Sequence, residues 1–132
     1  MGPLYGSLFR GMAVKSANAE IIDAPLFLEM LREGMKRISL IGDAKVGDKT
    51  LLDALIPGID AFVLAGPDFA KALEEMEAAA FIGAAGTKEM IARVGRSARL
   101  GERSRGVLDA GATSCHLLLK SMKESILGLL SS

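Results

Sequence analysis

The chain has 132 residues, of which 50% are hydrophobic and 5% aromatic, and its 16 basic and 16 acidic side chains leave no net charge. That length suits one domain, residues 1–132, with an aliphatic core. Zero net charge argues against bulk attraction to nucleic acid or to an anionic membrane. The single cysteine excludes an internal disulfide and suits a reducing, cytoplasmic setting. No run of about eighteen apolar residues predicts a membrane span.

The first two predicted helices form the amino-terminal part of the chain. Residues 3–18 carry apolar side chains at helical spacing, with small residues between them. Asp23 is a suitable N-cap for the second helix, and Pro25 fits its first turn. This second helix is predicted to continue to about Ile41.

Three further helices are predicted, separated by glycine-bearing segments. The third follows a loop at 42–50 and contains Pro57, whereas the fourth runs from about Asp68 to Val94. The fifth covers residues 112–130. No alternating strand pattern persists, so the sequence predicts an all-α fold, an antiparallel bundle or barrel of about five helices.

Two loops interrupt the helical pattern, GDAKVGDKT at 42–50 and VGRSARLGERSRGVLDAGATS at 94–114. The first precedes the third helix and the second precedes the fifth. Since the fourth helix returns between them in an up-and-down arrangement, both loops are expected at the same end of the bundle. They are therefore able to line one site.

The second loop has the composition of an anion site. Its glycines let backbone N–H groups approach a ligand, and DAGATS places Asp109 just before a helix N-terminus, which favours negative charge. Forked donors suited to phosphate come from four arginines: Arg96, Arg99, Arg103 and Arg105. A solvated connection with Asp109 as a simple helix cap explains the same residues, and both interpretations stay open.

Other reactive side chains have plainer interpretations. His116 and Cys115 fall on an apolar helix and are predicted to be packed residues. Asp43, Asp48 and Asp53 occupy a loop and a helix start, where capping already favours acids. The sequence therefore assigns no catalytic residue and no metal ligand.

Three segments together resemble a known family. GPLYGSLFRG, GDKTLLDALIP and GRSARLGERSRGVLDAGATS, in this order and at these separations, are similar to the carboxyl-terminal two thirds of the ADP-binding L subunit of dihydroxyacetone kinase. The resemblance implies a barrel of eight antiparallel helices, of which this chain would be a truncated form, with ADP and magnesium at one end.

The same resemblance implies phosphoryl transfer to dihydroxyacetone held on a partner K-type subunit. In one branch of the family a phosphocarrier subunit recharges the bound nucleotide, and in the other branch ATP is the donor. The residues choose neither between these branches nor between dihydroxyacetone and another ketose.

Site residues also follow from the resemblance. Six positions match nucleotide-binding residues of the family: Gly42, Leu51, Arg96, Asp109, Ala110 and Gly111. The first two would face the adenosine part and Arg96 the phosphates. The last three would surround the nucleotide at the start of the fifth helix.

The chain departs from the family pattern at several points. The aspartate loop that holds two magnesium ions in the family has no counterpart, and the aspartates of residues 43–53 do not replace it. Ala110 stands where the family usually has proline, Ala98 and Arg99 where it has Ser-Tyr, and Met1 where it has a serine. Because metal supplies most of the charge neutralisation in phosphoryl transfer, we expect a domain that is inactive alone.

A second hypothesis belongs to a different functional class. The apolar opening segment, residues 4–14, would be left exposed by the missing helices. The chain is then a non-catalytic helical interaction module, either a homodimer through that face or an adaptor for a K-type subunit.

Overall fold

A computed structural model describes residues 2–41, 50–89 and 109–130 of the chain. Within these ranges the chain folds into five α-helices and one short 3-10 helix and forms no strand, which confirms the all-α prediction. The elements are α1 (Gly2–Ser16), α2 (Ala24–Ile41), α3 (Leu52–Leu64), α4 (Phe69–Gly86), the 3-10 helix (Thr87–Glu89) and α5 (Ala110–Leu130). Helices α1 and α2 pack together, as do α3 and α4, while α2 contacts α3 and α5 lies against α3 and α4.

The starts of α2 and α4 agree with their capping signals. The Asp23 carboxylate accepts a hydrogen bond from the Leu26 N–H at 3.0 Å. The Asp68 carboxylate accepts one from the Lys71 N–H at 3.2 Å. Just before this second cap, Gly66 adopts a φ of 87°, which glycine reaches at little cost and which ends α3 as its position predicts.

The bounds of the last two helices differ from the prediction. The fourth helix was expected to continue to Val94, but its α-helical part ends at Gly86 and a 3-10 turn follows. Both the N–H and the hydroxyl of Thr87 bond to the Ala84 carbonyl, which tightens this turn. Residues 90–94 lie outside the described part of the chain. Helix α5 begins at Ala110, two residues earlier than expected, because Asp109 caps it.

The core is mainly aliphatic, with one aromatic cluster. Buried leucine, isoleucine, methionine and alanine side chains come from all five α-helices. The rings of Phe27, Phe62 and Phe69 have centroids 5.6 to 6.1 Å apart and join α2, α3 and the start of α4. Such tilted and edge-to-face pairs stabilise a core beyond their buried area.

Glycines bring two pairs of helices into close contact. A Cβ on Gly11 of α1 would lie 2.8 Å from the backbone nitrogen of Gly34 on α2. A Cβ on Gly83 of α4 would collide with the backbone carbonyl oxygen of Asp53 at the start of α3. Gly83 therefore allows α4 to lie close to the start of α3, whereas among the described residues nothing lies within 4 Å of the same position on Gly86.

Helix α1 buries only part of its apolar surface. Leu8 and Met12 lie in the core, as their spacing predicts. Phe9 and Val14 remain 46% and 57% exposed, respectively. Among the described residues no helix is both long enough and apolar enough to cross a membrane.

Candidate functional site

The start of α3, the end of α4 and the start of α5 meet at one end of the bundle. Gly83 near the end of α4 lies against Asp53 in the first turn of α3. One turn further on, the Asp109 N–H donates to the Thr87 hydroxyl at 2.9 Å. The residues that flank the two glycine-rich loops therefore lie at the same end of the fold, in agreement with the up-and-down topology expected from the sequence.

Asp109 caps α5 with both its side chain and its backbone. Its carboxylate accepts a hydrogen bond from the Ala112 N–H at 2.8 Å, and its carbonyl accepts one from the Thr113 N–H at 3.0 Å. Helix geometry leaves the N–H groups of Ala110 and Gly111 without an intrahelical acceptor. These two groups are where the positive end of the helix dipole is concentrated.

Thr87 links the end of α4 to this cap. Its hydroxyl donates to the Ala84 carbonyl at 2.6 Å and accepts from the Asp109 N–H at 2.9 Å. The residue is fully buried. Because the Thr87 hydroxyl donates its proton to the Ala84 carbonyl of α4, its oxygen lone pairs are available to the Asp109 N–H, just before α5.

Tyr5 links α1 to the first turn of α5. Its hydroxyl lies 3.3 Å from the Gly111 carbonyl oxygen and is also hydrogen-bonded to the Ser114 hydroxyl, which lies 3.1 Å from the same carbonyl oxygen. The two hydroxyl protons satisfy two of these three contacts at a time. Burial raises the pKa of Tyr5 and the Asp109 carboxylate adds to this, while the Ser114 hydrogen bond opposes it. The phenol therefore stays protonated and holds the turn from the side of α1.

Two side chains, Thr50 and Asp53, accept hydrogen bonds from backbone N–H groups at the start of α3. The Asp53 carboxylate accepts from the Thr50 N–H at 2.7 Å, and the Thr50 hydroxyl accepts from the Leu52 N–H at 3.2 Å. Asp53 is 1% exposed and Leu51 is 2% exposed. This helix start is therefore enclosed by the core.

The structure describes four of the six residues expected to bind nucleotide. Asp109, Ala110 and Gly111 form the consecutive turn that opens α5, with Ala110 exposed and Gly111 buried. Leu51 lies in the core at the start of α3. Gly42 and Arg96 lie outside the described residues, and a role for any of the six in binding remains a prediction.

Two residues of this end were not singled out from the sequence. Tyr5 carried a usable signal, since it is the only tyrosine of an otherwise apolar segment and a half-buried phenol needs a hydrogen-bond partner. Thr87 carried none, because its partner Asp109 is 22 residues away in the chain.

A charged cluster ties α4 to α5 beyond the first turn. The Glu77 carboxylate lies 3.2 Å from both His116 Nε2 and Lys123 Nζ, and the His116 ring packs edge-on against Phe81. Burial raises the pKa of Glu77, but the hydrogen bonds and charges of Lys123 and His116 outweigh it and lower the pKa overall. His116 is thus a packed residue, as expected from its helix position.

Cys115 is a buried thiol on the core side of α5. Desolvation by burial raises its pKa to about 12, so it has little thiolate at neutral pH. This agrees with its interpretation as a small packed side chain.

The described residues do not fit a magnesium centre. Within 2–41, 50–89 and 109–130, no group of three His, Cys, Asp or Glu side chains is placed to hold a metal ion. The carboxylates of Asp53 and Asp109 already accept backbone N–H groups at helix starts. These residues therefore support no reaction step through a metal ion.

Comparison with known proteins identifies the class. Residues 1–124 match the DAK2 domain, and the chain belongs to this family. Over 129 residues it is 35% identical to the ADP-binding subunit DhaL of the PEP-dependent dihydroxyacetone kinase 2 of Listeria innocua serovar 6a, covering 95% of this chain and 59% of the relative. The family resemblance expected from the sequence is confirmed.

Two further relatives are similar over the same region. The ADP-binding subunit DhaL of the PEP-dependent dihydroxyacetone kinase of Escherichia coli K12 is 32% identical over 92% of this chain and 59% of its own length. The L-erythrulose 1-kinase of Mycolicibacterium smegmatis is 32% identical over 95% of this chain and 22% of its own length. The chain thus spans about three fifths of the DhaL relatives and less of the larger kinase.

Proposed function

We propose that this chain is the nucleotide-binding part of a ketose kinase of the dihydroxyacetone kinase type. The observation that carries the proposal is the DAK2 match over residues 1–124, which includes the capped turn Asp109 to Gly111. The relatives named above are ADP-binding subunits of such kinases or a kinase of a related ketose. Nucleotide binding is the part of that function for which the described residues supply chemistry.

The start of α5 supports binding of a nucleotide phosphate. The N–H groups of Ala110 and Gly111 have no intrahelical acceptor, and the helix dipole favours an anion beside them. Ala110 is exposed, so a ligand has access to the first residue of this turn, while Gly111 behind it is buried. Backbone donors fixed by a helix need no rearrangement when charge develops, which suits phosphoryl transfer.

Asp109 and Arg96 suit different parts of the nucleotide. A carboxylate repels phosphate but accepts hydrogen bonds from hydroxyl groups, so we assign the Asp109 side of the turn to the ribose. Arg96 has a forked guanidinium that matches phosphate oxygens, and we assign it to the phosphates. Gly42 remains the residue proposed to contact the adenosine part, and Leu51, which is 2% exposed, is proposed to support that side of the site from the core.

The substrate and the partners follow from the relatives and are proposals for this chain. Dihydroxyacetone and L-erythrulose, which appear in the relatives' names, are short ketoses with terminal hydroxyl groups. We propose a phosphoryl acceptor of this class, held on a K-type partner subunit. Magnesium would neutralise phosphate charge in the assembled enzyme, with ADP or ATP as the nucleotide and a phosphocarrier subunit in the branch that recharges it.

Calorimetric titration of ADP into the full chain, with and without magnesium, tests the proposal. We expect saturable binding by the wild type. In Arg96→Ala the affinity should fall about tenfold or more, because a charge-assisted hydrogen bond to phosphate is lost.

Arg32→Ala provides the matched control for that experiment. Arg32 is exposed on α2, so its replacement removes the same charge at another place on the fold. ADP affinity should stay within about twofold of the wild type, since an isolated surface charge contributes little. A wild-type chain that shows no ADP heat in either buffer would contradict nucleotide binding.

A second function, in protein interaction, is favoured by the outer face of α1. Phe9 is 46% exposed and Val14 is 57% exposed, although both side chains are apolar. We propose as the alternative that this face pairs with a second copy of the chain or with a K-type subunit. Such a module would need no nucleotide.

Light scattering over a range of concentrations distinguishes this alternative. A homodimer through α1 should dissociate in Phe9→Glu and persist in Leu64→Glu, which places the same charge on an apolar side chain that is 86% exposed at the end of α3. A wild-type chain that is monomeric at micromolar concentrations, alone and mixed with a K-type subunit, contradicts the interaction module.

A further inference from the structure

We propose that Thr87 is a positioning residue for the nucleotide, acting through the backbone of Asp109. Its hydroxyl connects the last turn of α4 to the residue that caps α5. The proposal rests on the function proposed above, because it assigns to Thr87 the placement of the turn that would bind ADP.

The geometry of the hydroxyl carries the proposal. Thr87 donates to the Ala84 carbonyl at 2.6 Å, a bond that fixes the orientation of its hydroxyl within its own helix. Its oxygen then accepts from the Asp109 N–H at 2.9 Å. Since the Thr87 side chain is fully buried, its hydroxyl has no water as an alternative partner.

The link acts on the backbone of the turn at its first residue. Asp109 in turn holds the α5 start through the Ala112 and Thr113 N–H groups. A shift of the Asp109 backbone therefore moves the N–H groups of Ala110 and Gly111, which follow it directly. A binding site loses affinity when a hydrogen-bond donor moves by a fraction of the donor–acceptor distance, because hydrogen bonds weaken as they become longer or less linear.

Thr87 differs from Tyr5, the other side chain that holds this turn. Tyr5, which lies on α1, bonds to the Gly111 carbonyl and to the Ser114 hydroxyl, so both of its partners lie within α5. Thr87 instead fixes the point where the chain enters α5. Of these two side chains, Thr87 is the one that bonds to the backbone of the capping residue.

Two substitutions separate the hydroxyl of Thr87 from its shape. Thr87→Val keeps the branched shape and removes the hydroxyl, whereas Thr87→Ser keeps the hydroxyl and removes a methyl group. In the full chain, the Kd for ADP with magnesium should rise about tenfold in Thr87→Val, since the hydroxyl and both of its hydrogen bonds are lost, and stay within about twofold in Thr87→Ser. Isothermal calorimetry measures both values.

A stability control excludes a general effect of weaker packing. Ile59→Val removes one methylene from the core of α3, away from the turn, and lowers the melting temperature. Its Kd for ADP should stay within about twofold of the wild type, because the turn keeps all its hydrogen bonds. If Ile59→Val weakens ADP as much as Thr87→Val does, or if Thr87→Ser fails to restore affinity, the positioning role is overturned.

Amide exchange measured by NMR tests the positioning without nucleotide. In Thr87→Val the Asp109 amide should exchange about tenfold faster than in the wild type, whereas the Leu119 amide in the middle of α5 should be unchanged. If the Asp109 amide exchanges at the same rate in Thr87→Val as in the wild type, the proposal is overturned. A wild-type chain that binds no ADP overturns the proposed function instead, and the exchange rates still decide whether Thr87 places the turn.

Discussion

The starts of α3 and α5 use the same residue type in two different settings. At the start of α3, Asp53 accepts the Thr50 N–H and is 1% exposed, and Leu51 and Leu52 between these two residues are buried. At the start of α5, Asp109 accepts the Ala112 N–H but is only half-buried, and Ala110 beside it is exposed. Asp53 therefore lies at a helix start that is buried in the core, whereas Asp109 lies at a helix start that is partly exposed.

This difference shows which helix start is available to a ligand. Both ends have a positive dipole and N–H groups that lack intrahelical acceptors. Of the two, the α5 start combines them with access, with two glycines on its flanking sequence and with links from Thr87 and Tyr5 that fix its position. An anion site depends on access and rigidity together, and the α3 start has only rigidity.

The largest expected effect concerns the contact that holds the α3 start against α4. Gly83→Ala should lower the free energy of unfolding by about 3 kcal/mol, because its Cβ collides with the backbone carbonyl of Asp53. Gly86→Ala is the matched control, since no atom of the described residues lies within 4 Å of its Cβ position. It should be neutral or raise stability by up to about 1 kcal/mol. Chemical denaturation measures both, and equal losses would contradict the close contact.

The next effect compares the two aspartates directly. Asp53→Ala should cost about 2 kcal/mol of unfolding free energy, because it removes a buried carboxylate and leaves the part-buried Thr50 N–H group without this acceptor. Asp109→Ala should cost about 1 kcal/mol, the ordinary value for an N-cap with access to water. Denaturation of the two variants tests this order. A larger loss at Asp109 would mean that the two settings are assigned the wrong way round.

The smallest effect concerns pH and the contact between α4 and α5 away from the site. The pKa of Glu77 is lowered below its ordinary value of 4.5, because Lys123 and His116 outweigh the effect of burial. The contribution of the Glu77 carboxylate to the free energy of unfolding is therefore complete above about pH 5 and is lost as the pH falls through its folded-state pKa. Glu77→Gln should cost about 0.5 kcal/mol at pH 7 and almost nothing once the pH has fallen below the folded-state pKa of Glu77.

Glu74→Gln is the control for that pH dependence. Glu74 is exposed on the same helix, so the substitution removes an equal charge without the contacts to α5. The stabilities of the two variants, measured against pH by thermal unfolding, should diverge only as the pH rises above the folded-state pKa of Glu77. A Glu77→Gln deficit that grows as the pH falls would contradict a lowered pKa for Glu77.

Local signals in the sequence were sufficient for much of the fold. Asp23 and Asp68 cap helices where capping chemistry placed them, and Gly66 ends α3. The predicted up-and-down topology also placed the residues next to the two loops at the same end of the bundle. The Thr87 link spans 22 residues and the Tyr5 link to Ser114 spans 109, so neither is visible in a local pattern.

The prediction for the end of the fourth helix was wrong for a related reason. An alanine-rich stretch favours a helix through position 87 and beyond, but Thr87 bonds back to Ala84 and forward to Asp109. Its tertiary partner overrides the propensity of the segment. The same hydrogen bonds that define the candidate site therefore explain where the prediction from sequence stopped being accurate.

Hydrogen exchange of the full chain with and without ADP and magnesium tests the central claim most directly. Binding at the α5 start predicts that ADP slows exchange of the amides of residues 109–113, while those in the middle of α2 keep their rates. Protection should be weaker in Thr87→Val at the same ADP concentration. Protection confined to α1 and α2, or no change at residues 109–113 under saturating ADP, would contradict the assignment of this helix start as the nucleotide site.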